Sequence, residues 1–159
     1  MATQNIIQYL ETSQYNALPS GGTVAVGIEA MNRRQIETFI AGAAIAANDL
    51  VALDFSKTSD GEIAITVIKA DSGSTNSVAV VGFALNAATA AGETVDVTIA
   101  GLHTSANCKT GITKGMTLSI SGVAGQADQY VAGDTVPIIG YAVENEAANV
   151  ASVFVIKQF

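Results

Sequence analysis

The 159-residue chain contains one cysteine (Cys108), one histidine (His103), two prolines and no tryptophan. A single cysteine excludes an intrachain disulfide. One cysteine and one histidine cannot furnish a structural zinc site. Charge is scarce as well: only 13 % of residues are charged, about half the usual share. Seven Lys and Arg stand against fourteen Asp and Glu, a net charge of -7, with a pI near 4.4. A nucleic-acid binder needs a basic face, and this chain has none to offer. Long apolar runs are missing too. The longest charge-free stretch, residues 72–92, is interrupted by Ser, Thr, Asn and three Gly. Its most apolar part, residues 78–91, is too short to span a bilayer and carries Asn86, so no membrane role is expected. The opening Met-Ala-Thr-Gln-Asn has neither a basic region nor an apolar signal core. Synthesis in a cytoplasm without secretion is the expectation.

What is present is apolar: 49 % of residues, with a mean hydropathy of +0.39. That is ample for a core. The surface must then be built from Ser, Thr, Asn, Gln, Gly and Ala. Interface cores are similarly depleted of Lys, Glu and Asp, so this composition suits a protein largely covered by neighbours.

Residues 1–22 read as an arm. Ile6, Ile7, Tyr9, Leu10, Tyr15 and Leu18 stand among polar residues with neither helical nor strand spacing, and Pro19-Ser20-Gly21-Gly22 closes the segment. From Thr23 onward, over residues 23–159, period-2 alternation dominates. Val24, Val26 and Ile28 alternate with small or polar residues, and residues 36–40 read as a further short strand. Val51, Leu53 and Phe55 alternate likewise. Ile63, Ile65 and Val67 follow the Ser59-Asp60-Gly61 turn. Val95, Val97 and Ile99 form another set, as do Leu118 with Ile120 and Val153 with Val155. Short strands separated by Gly, Asn, Asp and Ser predict an all-β fold, a compact sandwich or barrel preceded by an extended arm. The Ala-rich stretches 86–91 and 146–151 are too short to decide between helix and loop.

The chain also repeats itself. Val80-Val81-Gly82-Phe83-Ala84-Leu85-Asn86 matches Ile138-Ile139-Gly140-Tyr141-Ala142-Val143-Glu144. Each is followed by an Ala-rich connection and a strand, residues 94–100 and 152–158. Upstream, residues 45–53 match residues 112–120. Two copies, approximately 40–101 and 107–159, predict two related β units around one core. In the shared motif Gly82 and Gly140 would permit close strand approach, while Phe83 and Tyr141, each followed by an alanine (Ala84, Ala142), would supply buried area.

Candidate chemistry is sparse. His103 lies near Ser105 and Cys108, with Asp96 or Asp134 as the nearest candidates for an orienting acid, but no nucleophile elbow is present. The pattern points to no catalytic residue. Carboxylates are scattered. Glu144 with Glu146, and Asp128 with Asp134, are the nearest approach to a cation site, and no calcium loop is formed. No phosphate-cradling glycine motif occurs. No cofactor and no metal are expected. Arg33-Arg34 is the one basic pair. It could pair with an acidic partner or simply be a solvated strand start.

Three segments together carry a family resemblance: Ala46-Ala47-Asn48-Asp49-Leu50-Val51-Ala52-Leu53, then Val80 to Leu85, then Ala91-Gly92-Glu93-Thr94-Val95-Asp96-Val97. A second round follows in Gly133-Asp134-Thr135-Val136, Ile139-Gly140-Tyr141-Ala142 and Val153-Phe154-Val155. Over residues 40–159 the chain resembles the small capsid cement, or decoration, proteins of tailed bacteriophages. The resemblance implies a non-enzymatic virion protein on the outer capsid surface, with the major capsid protein as partner and a homotrimer as its assembly. In that setting Ile6, Ile7, Tyr9, Leu10 and Tyr15 are candidate anchors in the arm, with Arg33 and Arg34 as further contacts. Another phage structural part, such as a fibre base or tail component, and a carbohydrate- or receptor-binding β module are the alternatives.

Overall fold

The computed structural model describes residues 34–75 and 78–158. The arm, the alternating segment 23–28 and Arg33 lie outside the described residues. The described chain is almost all β. Its strands are β1 (Gln35–Ala41), β2 (Leu50–Leu53), β3 (Thr66–Lys69), β4 (Val80–Ala84), β5 (Thr94–Asn107), β6 (Thr117–Ile120), β7 (Ala127–Gln129), β8 (Gly140–Ala142) and β9 (Val150–Val155). A six-residue helix, α1 (Asp60–Ile65), precedes β3. Among the described residues no helix is long and apolar enough to cross a membrane.

The helix corrects the strand expected through Ile63 and Ile65. Ser59 stands at its N-cap, and the Ser59 hydroxyl accepts the Glu62 amide at 3.2 Å. A Ser-x-x-Glu start satisfies an amide at the helix N-terminus, and this local bonding overrides alternation in so short a run. Alternation resumes only at Thr66. Phe55 likewise falls outside β2 and is exposed.

The sheet order is β1-β3-β2-β4-β5-β9-β8-β6-β7, and β1 also pairs with β5. That extra pairing closes β1, β3, β2, β4 and β5 into a five-stranded barrel. All its pairings are antiparallel except β1–β3. The remaining strands then retrace the same plan: β9, β8, β6 and β7 occupy the places of β5, β4, β2 and β3. The place of β1 is taken by the second half of β5. Cys108 bridges Ala127 in parallel, as Ala41 meets Val67, and the Lys109 amide reaches Ala127 O at 2.8 Å, as the Gly42 amide reaches Val67 O at 2.8 Å. One 14-residue strand thus serves both barrels. Gly101, with φ 90°, lies where β5 passes from one to the other.

Loop hydrogen bonds repeat as well. Asn48 N reaches Ala84 O and Gly115 N reaches Ala142 O, both at 2.8 Å. Asn48 and Gly115 both hold a left-handed backbone (φ 71° and 87°). The side chain after each Gly-aromatic-Ala-x motif accepts an amide from the following strand: Asn86 from Asp96 at 2.7 Å, and Glu144 from Ser152 at 2.8 Å. Asp96 therefore corresponds to Ser152, two residues away from the match with Thr94 read from the sequence. A slip of two residues leaves every side chain on its original face, so alternation cannot detect it.

Two clusters form the interior. Phe39, Val51, Val67, Val81, Val95, Val97 and Ile99 fill the first barrel. The second cluster joins the inward side chains of the second barrel, such as Leu118, Ile139, Val153 and Val155, to the outward-facing Leu50, Ala52, Val80 and Phe83 of the first. The outer face of the first barrel is thus part of the second core.

Candidate functional site: the barrel junction and an open apolar face

The junction is where the buried polar groups gather. His103, 1 % exposed, stacks on Phe83 with ring centroids 5.3 Å apart. Its Nδ1 lies 3.1 Å from the Thr98 hydroxyl and its Nε2 lies 3.2 Å from Asn48 Oδ1. Asn48 Oδ1 can only accept, so the neutral ring carries its proton on Nε2 and takes the Thr98 hydroxyl proton at Nδ1. Burial, helped by the Arg34 charge, lowers the His103 pKa to about 4. Beside it, Asp49 ties four elements together. Its carboxylate accepts from the Ala46 amide at 2.8 Å, Asn107 Nδ2 at 2.8 Å and Lys69 Nζ at 2.9 Å. Gly125, from the β6–β7 turn, packs so closely that a Cβ there would lie 2.9 Å from the Asp49 carboxyl carbon. The Leu50 amide donates to Gly125 O at 2.7 Å and the Gly125 amide to Ala70 O at 2.9 Å. These bonds fix one barrel against the other.

The residues singled out for chemistry resolve into packing. Both ring nitrogens of His103 are engaged by Thr98 and Asn48. Cys108 is buried, and burial, reinforced by the Glu146 charge, pushes its thiol up to about 12. Asp128 and Asp134 line one open polar depression of about 390 Å³, together with Ser119 and Thr135. Asp128 is paired there with Lys109 at 2.8 Å, and Asp134 accepts the Val131 amide at 2.8 Å. Among the described residues, no three His, Cys, Asp or Glu side chains converge as metal ligands would. Glu144 accepts both the hydroxyl and the amide of Ser152, which hold its carboxyl below the usual range.

Of the partner-binding residues read from the sequence, Ile6, Ile7, Tyr9, Leu10, Tyr15 and Arg33 lie outside the described residues. Arg34 enters β1 half-buried, and its Nε is buried without a hydrogen-bond partner. The repeat motif divides in an unexpected way. Gly82 and Gly140 both lie against a neighbouring strand: a Cβ would fall 1.9 Å from Thr98 O in one case and 2.2 Å from Phe154 O in the other. Ala84 and Ala142 are both buried. Phe83 is fully buried, but Tyr141 is 46 % exposed, which corrects the expectation that both aromatics supply buried area. The reason is the junction. The second barrel covers the face that carries Phe83, and no described residue does the same for Tyr141.

Tyr141 pairs across strands with Phe154, which is 45 % exposed, and Phe154 pairs with the half-buried Leu102. Ile138 and Val143, 39 % and 40 % exposed, flank Tyr141 along the chain. The second barrel thus presents a row of apolar side chains, Tyr141, Phe154 and Leu102, on its outer face. A tyrosine in the place of a buried phenylalanine was the one trace of it in the sequence.

No protein-family model matches the chain, and no curated protein matches it either. Solved structures do. One is the head fibre gp8.5 N base of bacteriophage phi29, at 19 % identity and a TM-score of 0.51, covering 77 % of this chain and 94 % of that one. Another is from the capsid of the Myoviridae phage XM1, at 15 % identity and a TM-score of 0.53, covering 89 % of this chain and 91 % of that one. At these identities the likeness is one of fold, and in both cases it spans most of each chain. This chain therefore has the architecture of proteins found on phage heads.

Proposed function

We propose that this protein is a non-enzymatic structural component of a phage virion that binds the outer surface of the capsid and bridges neighbouring coat subunits. The observation that carries the reading is the fold shared, over most of the chain, with two phage-head structures. The physical logic is simple. A shell packed with DNA is pushed outward. A protein attached to two adjacent coat subunits adds its own binding free energy to the cost of separating them. A homotrimer would hold several contacts at once, and avidity would multiply a modest affinity at each site. Ile6, Ile7, Tyr9, Leu10 and Tyr15 are the candidate anchors to the major capsid protein, with Arg33 and Arg34 as further candidate contacts. A net charge of -7 keeps decorated particles apart in solution.

A fibre-base role is the second reading, because this chain covers 94 % of the phi29 gp8.5 N base. One experiment addresses both. The full chain, and a variant lacking residues 1–22, are co-sedimented with phage heads stripped of surface proteins. Saturable binding, a fixed copy number and greater heat resistance of the heads support reinforcement. Saturable binding with unchanged heat resistance favours the fibre base. Binding lost on truncation places the anchor in residues 1–22. Absence of binding to any head overturns both readings and turns attention to tail or glycan partners.

A further inference from the structure

We propose that the polar depression beside β7 is a binding site for a neutral saccharide, with Asp134, Ser119 and Thr135 as its hydrogen-bonding groups. The inference goes beyond the capsid reading and does not rest on it.

Ser119 is the residue that packing leaves unexplained. It stands in β6 between Leu118 and Ile120, which both belong to the second core, so its own side chain turns to the outer face. Asp128 in β7 is its cross-strand partner, and directly opposed residues share a face. Ser119 is 1 % exposed, yet its hydroxyl makes no hydrogen bond with any described residue. A buried hydroxyl is costly to leave unmet, so its partner must come from outside the chain, as solvent or as a ligand. The depression that Ser119 lines has a volume of about 390 Å³, within the ~300–1,000 Å³ of small-molecule sites. Asp128, Asp134 and Thr135 line it as well, and Val131 and Val136 give it an apolar flank. Val136 packs against the second core, while Val131 is 58 % exposed and free to meet a ligand.

Charge selects the class of ligand. Anions are repelled by Asp134 and by the net charge of -7. Metal cations are disfavoured, because the Lys109 ammonium already sits 2.8 Å from the Asp128 carboxylate. No third carboxylate, histidine or cysteine converges there among the described residues, as a hard cation would need. Asp134 spends Oδ2 on the Val131 amide at 2.8 Å and keeps Oδ1 for a donor. The hydroxyls of Ser119 and Thr135 can each donate and accept. What fits is a neutral molecule rich in hydroxyls with one apolar face. A pyranose ring offers both, its hydroxyls to Asp134, Ser119 and Thr135 and its C–H face to Val131. The bond from a sugar hydroxyl to the Asp134 carboxylate is charge-assisted and is the strongest the site can make.

The test is a titration of the isotope-labelled full chain with D-glucose, D-galactose and N-acetyl-D-glucosamine, each to 50 mM, followed by backbone amide shifts in two-dimensional NMR. At least one sugar is expected to give saturable shifts that cluster on Ser119, Asp128 and residues 131–136. For that sugar Asp134→Asn, which keeps an acceptor for the Val131 amide, is expected to raise the dissociation constant about tenfold, the loss of one charge-assisted hydrogen bond. Ser119→Ala is expected to raise it about threefold, the loss of one neutral hydrogen bond. If Ser119→Ala fails to fold, Thr135→Val tests the same point from the loop. Phe154→Ser alters an exposed residue outside the depression and leaves the affinity unchanged. The inference is overturned if no sugar moves these amides at 50 mM, if the shifts fall elsewhere, or if Asp134→Asn binds as wild type does. Calcium chloride moving the same amides where no sugar does makes the depression a cation site and also overturns it. Co-sedimentation with heads is a separate readout: sugar binding without head binding upholds this site and removes the capsid reading, and the reverse removes this site alone.

Discussion

Replacing Gly82 by alanine tests whether close strand crossing holds the first barrel together. The new Cβ would lie 1.9 Å from Thr98 O, 2.8 Å from Thr98 C and 3.2 Å from the Ile99 Cα, where ordinary contact begins near 3.4 Å. All three atoms are backbone, so no side-chain rotation relieves the clash. β4 and β5 must part by more than an ångström at the Phe83–Thr98 pair. Losing one or two ladder hydrogen bonds costs about 1 kcal/mol each. Disturbing the packing around the fully buried Phe83 adds about 1–3 kcal/mol. The expected total is about 2–5 kcal/mol, a large part of the ~5–15 kcal/mol that holds a typical domain. Gly92→Ala is the control. Gly92 has φ 91° and nothing within 4 Å, so alanine there costs only backbone strain, about 1–2 kcal/mol. Urea denaturation of both variants measures the difference through the midpoint at constant m-value. Gly140→Ala is expected to fall between them. Its Cβ meets Phe154 O at 2.2 Å, but the outer face of β8 is open and the strand can shift. If Gly82→Ala costs no more than Gly92→Ala, the close-approach account is wrong.

Acid should weaken the junction. His103 has its pKa lowered to about 4 by burial and the Arg34 charge, against 6.5 for an unburied ring. The unfolded state therefore binds the proton more tightly, so the contribution is fully present above pH 6.5. It is lost as pH falls from 6.5 to 4, by about 3 kcal/mol at most. Denaturation of wild type and His103→Gln across that range should show the slope only in wild type, and equal slopes would refute the assignment. Cys108, buried with its thiol pushed up to about 12, should resist a small disulfide reagent at pH 8 until the protein unfolds; rapid labelling of the native protein would contradict its placement. Asp49→Asn removes the partner of Lys69 and weakens the tie to Asn107. Because the Lys69 side chain is 37 % exposed, the cost should be about 1–3 kcal/mol, below that of a fully buried pair. Thermal melting measures it, and an unchanged midpoint would show that the carboxylate does not clamp the junction.

The sequence by itself determined the class of fold and much of its plan. Short alternating runs with Gly and Asn punctuation specify strands, because period 2 places every second side chain on one face of a sheet. The doubled Gly-aromatic-Ala motif located β4 and β8, because only glycine permits so close an approach of neighbouring backbones. The scarcity of charge pointed to a covered surface. Other features needed tertiary structure. α1 rests on one capping serine, a contact of a few atoms that alternation conceals. The 14-residue length of β5 hangs on Gly101, where a left-handed residue lets one strand leave the first barrel and enter the second. Beyond the tyrosine hydroxyl, nothing in the chain separates the fates of Phe83 and Tyr141. Both follow the same glycine and precede the same alanine, and both face outward from their own barrel. One is buried and the other open because burial on an outer face is set by what docks there, and docking is a contact between residues far apart in sequence.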